Sequence, residues 1–454
     1  MSTLASPPPE RAQSPAWRRR QQRGWYFYDW AASAFTTSVI TVFLGPYLTS
    51  VAERAAGPDG FVAPLGFPIR AESLFPYTVS LSVVLQVALL PVVGALADRS
   101  GRKRTLLALF AYTGAAATMG LYFLHGTNYL LGVVLFVVAN MAFGTSVVVY
   151  NAFLPDIAEP DERDSVSARG WALGYLGGGL LLALNLALYL RHDALGLPQG
   201  AAVRISLASA GVWWAIFTIV PLRALGGTRR TRNGGAGRGM VTMSVRQVLA
   251  TLREARRYPQ TLLFLAAYLI YNDGVQTVIT LASTFGALEL KLPQSVLISA
   301  VLMVQFVAFA GALAIGALAR LAGAKRVVLA TLVLWTAVVS VAYFLQPGAV
   351  GQFFALAFVI GVVLGGTQAL SRSLFSHLIP HGKEAEYFSL YEISERGTAW
   401  LGTLVFGLAV QLSGSYRVAI VSLVIFFAVG FVLLVAVNMR RGIRAVGNPQ
   451  PERV

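Results

Sequence analysis

Nine polar or charged residues interrupt otherwise apolar sequence: Asp29, Asn272, Asp273, Gln276, Gln368, Arg372, Glu392, Glu395 and Arg396. A carboxylate can exchange a proton or hold an ammonium group, and a guanidinium can grip a carboxylate with two parallel bonds. An ionisable side chain at the centre of a membrane helix costs at least about 2.5–3.5 kcal/mol, so it needs a partner or a task. Asp273 lies about eleven residues, or roughly 16 Å, into its segment. Asn272 and Gln276 flank it with amides, and Gly274 can loosen the helix there. Asp29 lies about six residues inside its segment, nearer one end. For each acid the alternative is a helix-to-helix hydrogen bond from a permanently neutral group. Arg372 requires a carboxylate. Glu392 and Glu395, about two turns into the next segment and at similar depth, are its expected partners. Gln368 sits one turn before Arg372, and Glu392 precedes Arg396 by four residues in the favoured order. An ion-pair cluster of Arg372, Glu392, Glu395 and Arg396 is expected, able to bind a zwitterion, relay a proton or act as a gate. A static network is the competing reading.

A second group is compact: Gly94, Asp98, Arg99, Gly101, Arg102 and Lys103. Gly94 allows close helix approach and Gly101 a tight turn. Asp98 can cap or pair across an interface, and Arg102, Lys103 and Arg104 are expected to rest at an anionic lipid surface. Gly170, Gly174 and Gly178 make a small-residue stripe that reads as helix packing. The run Asp161, Glu162, Asp164 reads as a solvated loop. His125, His192, His377 and His381 lack ligand-like spacing. There are no cysteines, no phosphate-binding Gly-Lys-Ser/Thr loop and no Ser/His/Asp arrangement. No cofactor, no metal and no enzymatic reaction are expected.

The elements that must position these groups follow from composition. The chain has 454 residues, 56% hydrophobic and 12% charged, with a net charge of +16. Soluble domains carry about 25% charged residues, so a wet surface over the whole chain is excluded. Apolar segments recur at about 25–50, 74–97, 104–124, 129–151, 168–190, 204–222, 261–286, 293–318, 325–345, 349–373, 388–412 and 416–438, each long enough to span a bilayer. Strands are not expected in lipid. Residues 1–23 read as a disordered basic arm and not a signal peptide. Residues 223–260 read as a linker containing an amphipathic helix from Ser244 to Tyr258, and 439–454 as a tail. With both termini in the cytoplasm, about 30 Lys and Arg fall on that side and about 6 on the other, which predicts this orientation in the cell membrane. The basic balance is assigned to the lipid bilayer and not to nucleic acid.

The halves repeat. Gly94–Arg104 and Gly316–Arg326 share seven of eleven residues at an offset of 222, each between the second and third segments of its half. Arg169-Gly170 and Arg396-Gly397 open the fifth and eleventh segments. A weaker echo joins Asp29 and Val39-Ile40-Thr41 to Asp273 and Val278-Ile279-Thr280. The expected fold is an all-α membrane protein of twelve transmembrane helices in two six-helix pseudo-repeats, 24–222 and 261–438, the transporter architecture of the major facilitator type. Arg320 replaces Asp98 in the second copy, so the gate role is assigned to the first.

Gly94-x-x-x-Asp98-Arg99-x-Gly101-Arg102-Lys103 resembles the loop signature of that superfamily. Tyr28-Asp29-Trp30-Ala31-Ala32-Ser33, Tyr150-Asn151-Ala152-Phe153-Leu154-Pro155-Asp156, Asp273-Gly274, Gly366-Thr367-Gln368-Ala369-Leu370-Ser371-Arg372 and Ser394-Glu395-Arg396-Gly397 resemble one branch, the "unknown major facilitator" family that includes the autophagy-associated vacuolar amino-acid effluxer. The family has Asp-Lys where Glu395-Arg396 stand and Pro where Thr403 stands. The resemblance implies export of amino acids or similar solutes in some members. The expectation is therefore a proton-coupled secondary transporter, acting as a monomer by alternating access on a small solute such as an amino acid, moved outward. The alternatives are a lipophilic drug, lipid or organic anion as cargo, or a non-transporting membrane sensor or scaffold.

Overall fold

The computed structural model describes residues 14–226, 253–254, 256–396, 399–413 and 415–453. Among them, eleven helices are long and apolar enough to cross a membrane. In the first, α1 (Pro15–Ala34) runs through a π-helical stretch, Phe35–Phe43, into α2 (Leu44–Ala55). A two-residue ladder, β1 (Phe61–Val62) with β2 (Ile69–Arg70), lies in the loop that follows. The first half continues with α3 (Leu74–Ser100), α4 (Lys103–Gly120), α5 (Tyr129–Asn151), the short α6 (Leu154–Ile157), α7 (Arg163–Leu190) and α8 (Gln199–Ala224). The second half contains α9 (Pro259–Leu288), α10 (Gln294–Ala322), α11 (Ala324–Ala342), α12 (Val350–His377), α13 (Glu384–Arg396), α14 (Ala399–Ser413), α15 (Tyr416–Ser422) and α16 (Val424–Ala436). A last turn of helix, α17 (Met439–Ala445), packs against α9.

The place expected for a span at 388–412 is filled by α13 and α14. Residues 397–398 between them lie outside the described residues, as does most of the expected amphipathic helix at 244–258. The expected disordered arm is too long: helix α1 starts at Pro15. Ser14 accepts a hydrogen bond from the Trp17 amide (3.2 Å), and Pro15 occupies the first turn, where no amide donor is needed. Gln21 and Gln22 then face inward, bonding to the Gly226 and Ile157 carbonyls (2.8 and 2.9 Å). The bulk of a polar, Arg-rich stretch concealed this inward face.

The bundle is apolar outside and partly polar inside, as a hydrocarbon solvent demands. Val84, Leu109, Val134, Leu184, Ile216 and Val432 are exposed, whereas Gln86, Asn140, Asn185 and Asn272 are buried. The halves meet mainly at the end that carries both termini and the α3–α4 loop. There α7 packs on α10 and α12, and α13 packs on α3 and α5.

Small residues also set close approaches within a half. A Cβ on Gly365 of α12 would lie 2.5 Å from the Ala308 carbonyl oxygen of α10 and 2.9 Å from the Ala312 Cβ. Gly351, on the same helix, has nothing within 4 Å. Gly365→Val is expected to cost about 1–3 kcal/mol through overpacking, read as a lowered unfolding temperature in detergent, while Gly351→Val leaves that temperature within a degree or so of the parent.

Candidate functional site

The carboxylate that meets Arg372 is Asp29, from the other half of the molecule, and not Glu392 or Glu395 as expected. Arg372 Nη1 and Nη2 donate to Asp29 Oδ2 at 3.2 and 3.3 Å. The guanidinium is otherwise enclosed. Its Nε donates to Ser167 Oγ (2.9 Å), its Nη2 to the Ser167 carbonyl (3.0 Å), and its Nη1 to Asn151 Oδ1 (3.3 Å). The rings of Trp25, Trp171 and Tyr150 lie 4.7, 5.4 and 5.6 Å from its central carbon, close enough for cation–π attraction. Tyr150 donates to the same Asp29 oxygen at 2.6 Å. Helix α7 can come this near because Gly170 has no side chain: a Cβ there would stand 2.7 Å from Asp29 Oδ2 and 3.0 Å from Arg372 Nη2. With the Arg372 side chain 3% exposed and that of Asp29 19%, this is an interior ion pair joining α1 to α12.

Glu392 reaches the pair indirectly, accepting from Asn151 Nδ2 at 2.9 Å. Glu395 belongs to a second network. Tyr268 donates to Glu395 Oε2 (3.1 Å) and to Gln368 Oε1 (3.3 Å), and Gln368 Nε2 donates to Asn272 Oδ1 (2.7 Å). Asn272 Nδ2 in turn donates to the Glu395 carbonyl (3.3 Å). The Arg396 side chain lies outside the described residues. Asp273 is buried on α9 facing Gly402 of α14, and neither carboxylate oxygen meets a side-chain donor among the described residues. Gln276 is half-buried one turn on.

The residues expected to form a gate divide. Asp98 is buried and caps the start of α13, accepting from the Ala385 and Glu386 amides at 3.0 and 2.9 Å. Gly94 clears the way, since a Cβ would fall 2.5 Å from the Ala385 carbonyl oxygen. Gly101 ends α3 in the left-handed region, at φ 59°. Arg99 and Arg102 are exposed. Lys103 does not lie at a lipid surface as expected. It is buried, donating to the Ala152 carbonyl (2.9 Å) and Asp156 (3.0 Å), with Glu384 of the second half at 3.7 Å. The short chain between α5 and α7 folds acids and carbonyls over it, which spacing within the loop could not reveal. Arg163 adds a further tie between halves, donating to the Ser376 carbonyl at 3.0 Å.

At the opposite end the halves part around a cavity of about 550 Å³. Ile40, Thr41, Phe75 and Val79 line it from the first half, and Val278, Phe285, Ile360 and Leu364 are among the second half's lining residues. Its wall is chiefly apolar. Gln368 lies one turn beyond Leu364, so the polar network begins beneath the floor.

A family profile described as "Vacuole effluxer Atg22 like" matches residues 17–447. The chain belongs to this family. An uncharacterized MFS-type transporter, YxiO of Bacillus subtilis, is 31% identical over 91% of the chain and 94% of its own length. Autophagy-related protein 22 of Kluyveromyces lactis is 28% identical over 98% of each. The proton:xylose symporter XylE shares the fold at 11% identity, with a TM-score of 0.68 over 92% of this chain and 95% of its own. The Atg22-like chain is thus a major facilitator transporter and not an enzyme.

In this Atg22-like transporter Tyr150, Asn151, Ser167, Trp25 and Trp171 surround Arg372, yet none was singled out from sequence as its partner. Tyr150-Asn151 stood within a family-like stretch, the signal that could have found them. Asp29→Asn leaves an uncompensated interior charge and is expected to cost about 3–5 kcal/mol. Adding Arg372→Gln should restore much of that loss, a non-additivity read by thermal unfolding of the four proteins of the cycle. Asp98→Ala removes the cap of α13. Because the chain lacks cysteine, Ser389→Cys, fully buried at this end, is a clean reporter. Its thiol labelling should quicken roughly 2- to 30-fold, corresponding to a lost cap.

Proposed function

We propose that this transporter is a proton-coupled secondary carrier that moves a small zwitterion, an amino acid being the simplest case, outward by alternating access. The observation that carries the reading is the Asp29–Arg372 pair: an interior bond between halves that are shut at one end and parted around a cavity at the other. A bond made in one access state and broken in the other biases the equilibrium between them. Protonation of Asp29 removes its charge and frees Arg372 for the carboxylate of a substrate. Asp273, with Asn272 and Gln368 beside it, offers a site for the substrate's ammonium group or for a second proton. Asp98 and Lys103 hold the closed end through α13. The basic loops support placing both termini in the cytoplasm of a cell-membrane protein, and membership of an effluxer-like family supports the outward direction.

The apolar wall of the cavity favours a second reading, in which the cargo is lipophilic. Counterflow separates the two. Proteoliposomes loaded with unlabelled amino acids should accumulate at least one labelled amino acid from outside. Asp273→Asn should abolish proton-driven uptake. Folded protein that accumulates no amino acid would overturn the zwitterion reading and leave lipophilic or anionic cargo.

A further inference from the structure

A groove of about 720 Å³ lies between α1 and α8 at the end that carries the termini. Its α1 wall is a stripe at helical spacing, Pro15, Arg19, Arg23 and Phe27, with Arg20 beside it. Its α8 wall includes Val220 and Ala224. The helices cross tightly at one point, where Gly24 meets Ala224, and the groove opens outward from there. Arg19, Arg20 and Arg23 are exposed, and no carboxylate lies within ion-pair distance of them among the described residues. The neighbouring cation behaves differently. Arg18 is paired with Glu159, and Gln22 bonds to Ile157 and Glu162 on the inward face. The acids of this region are therefore turned away from the groove. Below the arginines the surface becomes apolar, through Phe27 and Val220 to the exposed Ile216 on α8. Three guanidinium groups above an apolar furrow match a phosphodiester above an acyl chain, and Arg suits phosphate through paired donors.

We infer that this groove is a binding site for one anionic phospholipid, its phosphate held by Arg19, Arg20 and Arg23 and one acyl chain laid along Phe27 and Val220. The bound lipid would splint α1, the helix that carries Asp29, against α8. The site is independent of which solute is carried.

Native mass spectrometry of the full-length protein with equal phosphatidylglycerol and phosphatidylcholine tests the inference. The parent should retain one phosphatidylglycerol in preference. Each arginine near an anionic lipid is worth about fivefold in affinity, so Arg19→Gln with Arg20→Gln and Arg23→Gln should weaken retention on the order of a hundredfold. Val220→Trp fills the furrow without touching charge and should also release the lipid, which guards against misfolding of the charge variant. Added inorganic phosphate should not displace the lipid, since it lacks the acyl chain. Equal retention of the two lipids by the parent, retention unchanged in both variants, or displacement by phosphate would each overturn the proposal.

Discussion

An ionised arginine inside a membrane bundle must be given a countercharge where it sits, because no water arrives to screen it. In this chain the requirement is met across the molecular midline. Arg372 belongs to the second half and Asp29 to the first, and Tyr150, Asn151 and Ser167 satisfy much of the remaining bonding capacity. The pair cannot be dismantled cheaply on one side alone. In the proposed function, opening the halves at this end either neutralises Asp29 or supplies Arg372 with another anion, which would tie access to protons and to an anionic group of the cargo.

The rest of the architecture lets that pair form. Glycines on α7 admit α1 and the π-helical stretch that continues it: Gly170 beside Asp29, Gly174 beside Ser33, Gly178 beside Thr37. Ser167 binds Arg372 and also donates to the Ala369 carbonyl (2.6 Å), which fixes α7 on α12. Asp98 and Lys103 do the same for α13 at the rim. Among the described residues, polar ties between the halves lie at this end, whereas the side chains walling the cavity at the other end form no comparable bonds between halves. An asymmetric distribution of strong contacts is what a two-state gate requires.

Much of the fold was legible because it rests on composition: lipid demands apolar runs of a certain length, and a duplicated loop at an offset of 222 residues reveals the halves. Residues 15–23 were not legible, because an Arg-rich stretch hides two inward glutamines. The site was legible in part. Asp29 and Arg372 were both singled out, as interior charges should be, but their pairing was not. Helical spacing relates residues within a helix or between successive helices, and Arg372 was accordingly matched with the next helix. Its true partner stands 343 positions away, a relation set by how the halves dock. Lys103 was misplaced for a similar reason. A basic residue in a loop reads as surface until the chain after α5 is seen to fold over it.

In the proposed cycle the Asp29–Arg372 bond holds the terminus-bearing end shut. Spin labels on cysteines placed in the α3–α4 and α10–α11 loops of this cysteine-free chain, with pulsed distance measurement in lipid nanodiscs, address it directly. In the parent at neutral pH a single short distance should dominate. With Asp29→Asn a longer distance should gain population, and acidification of the parent should shift it the same way. Distance distributions that stay the same in the variant and at low pH would contradict the claim and reduce the pair to a fixed structural tie.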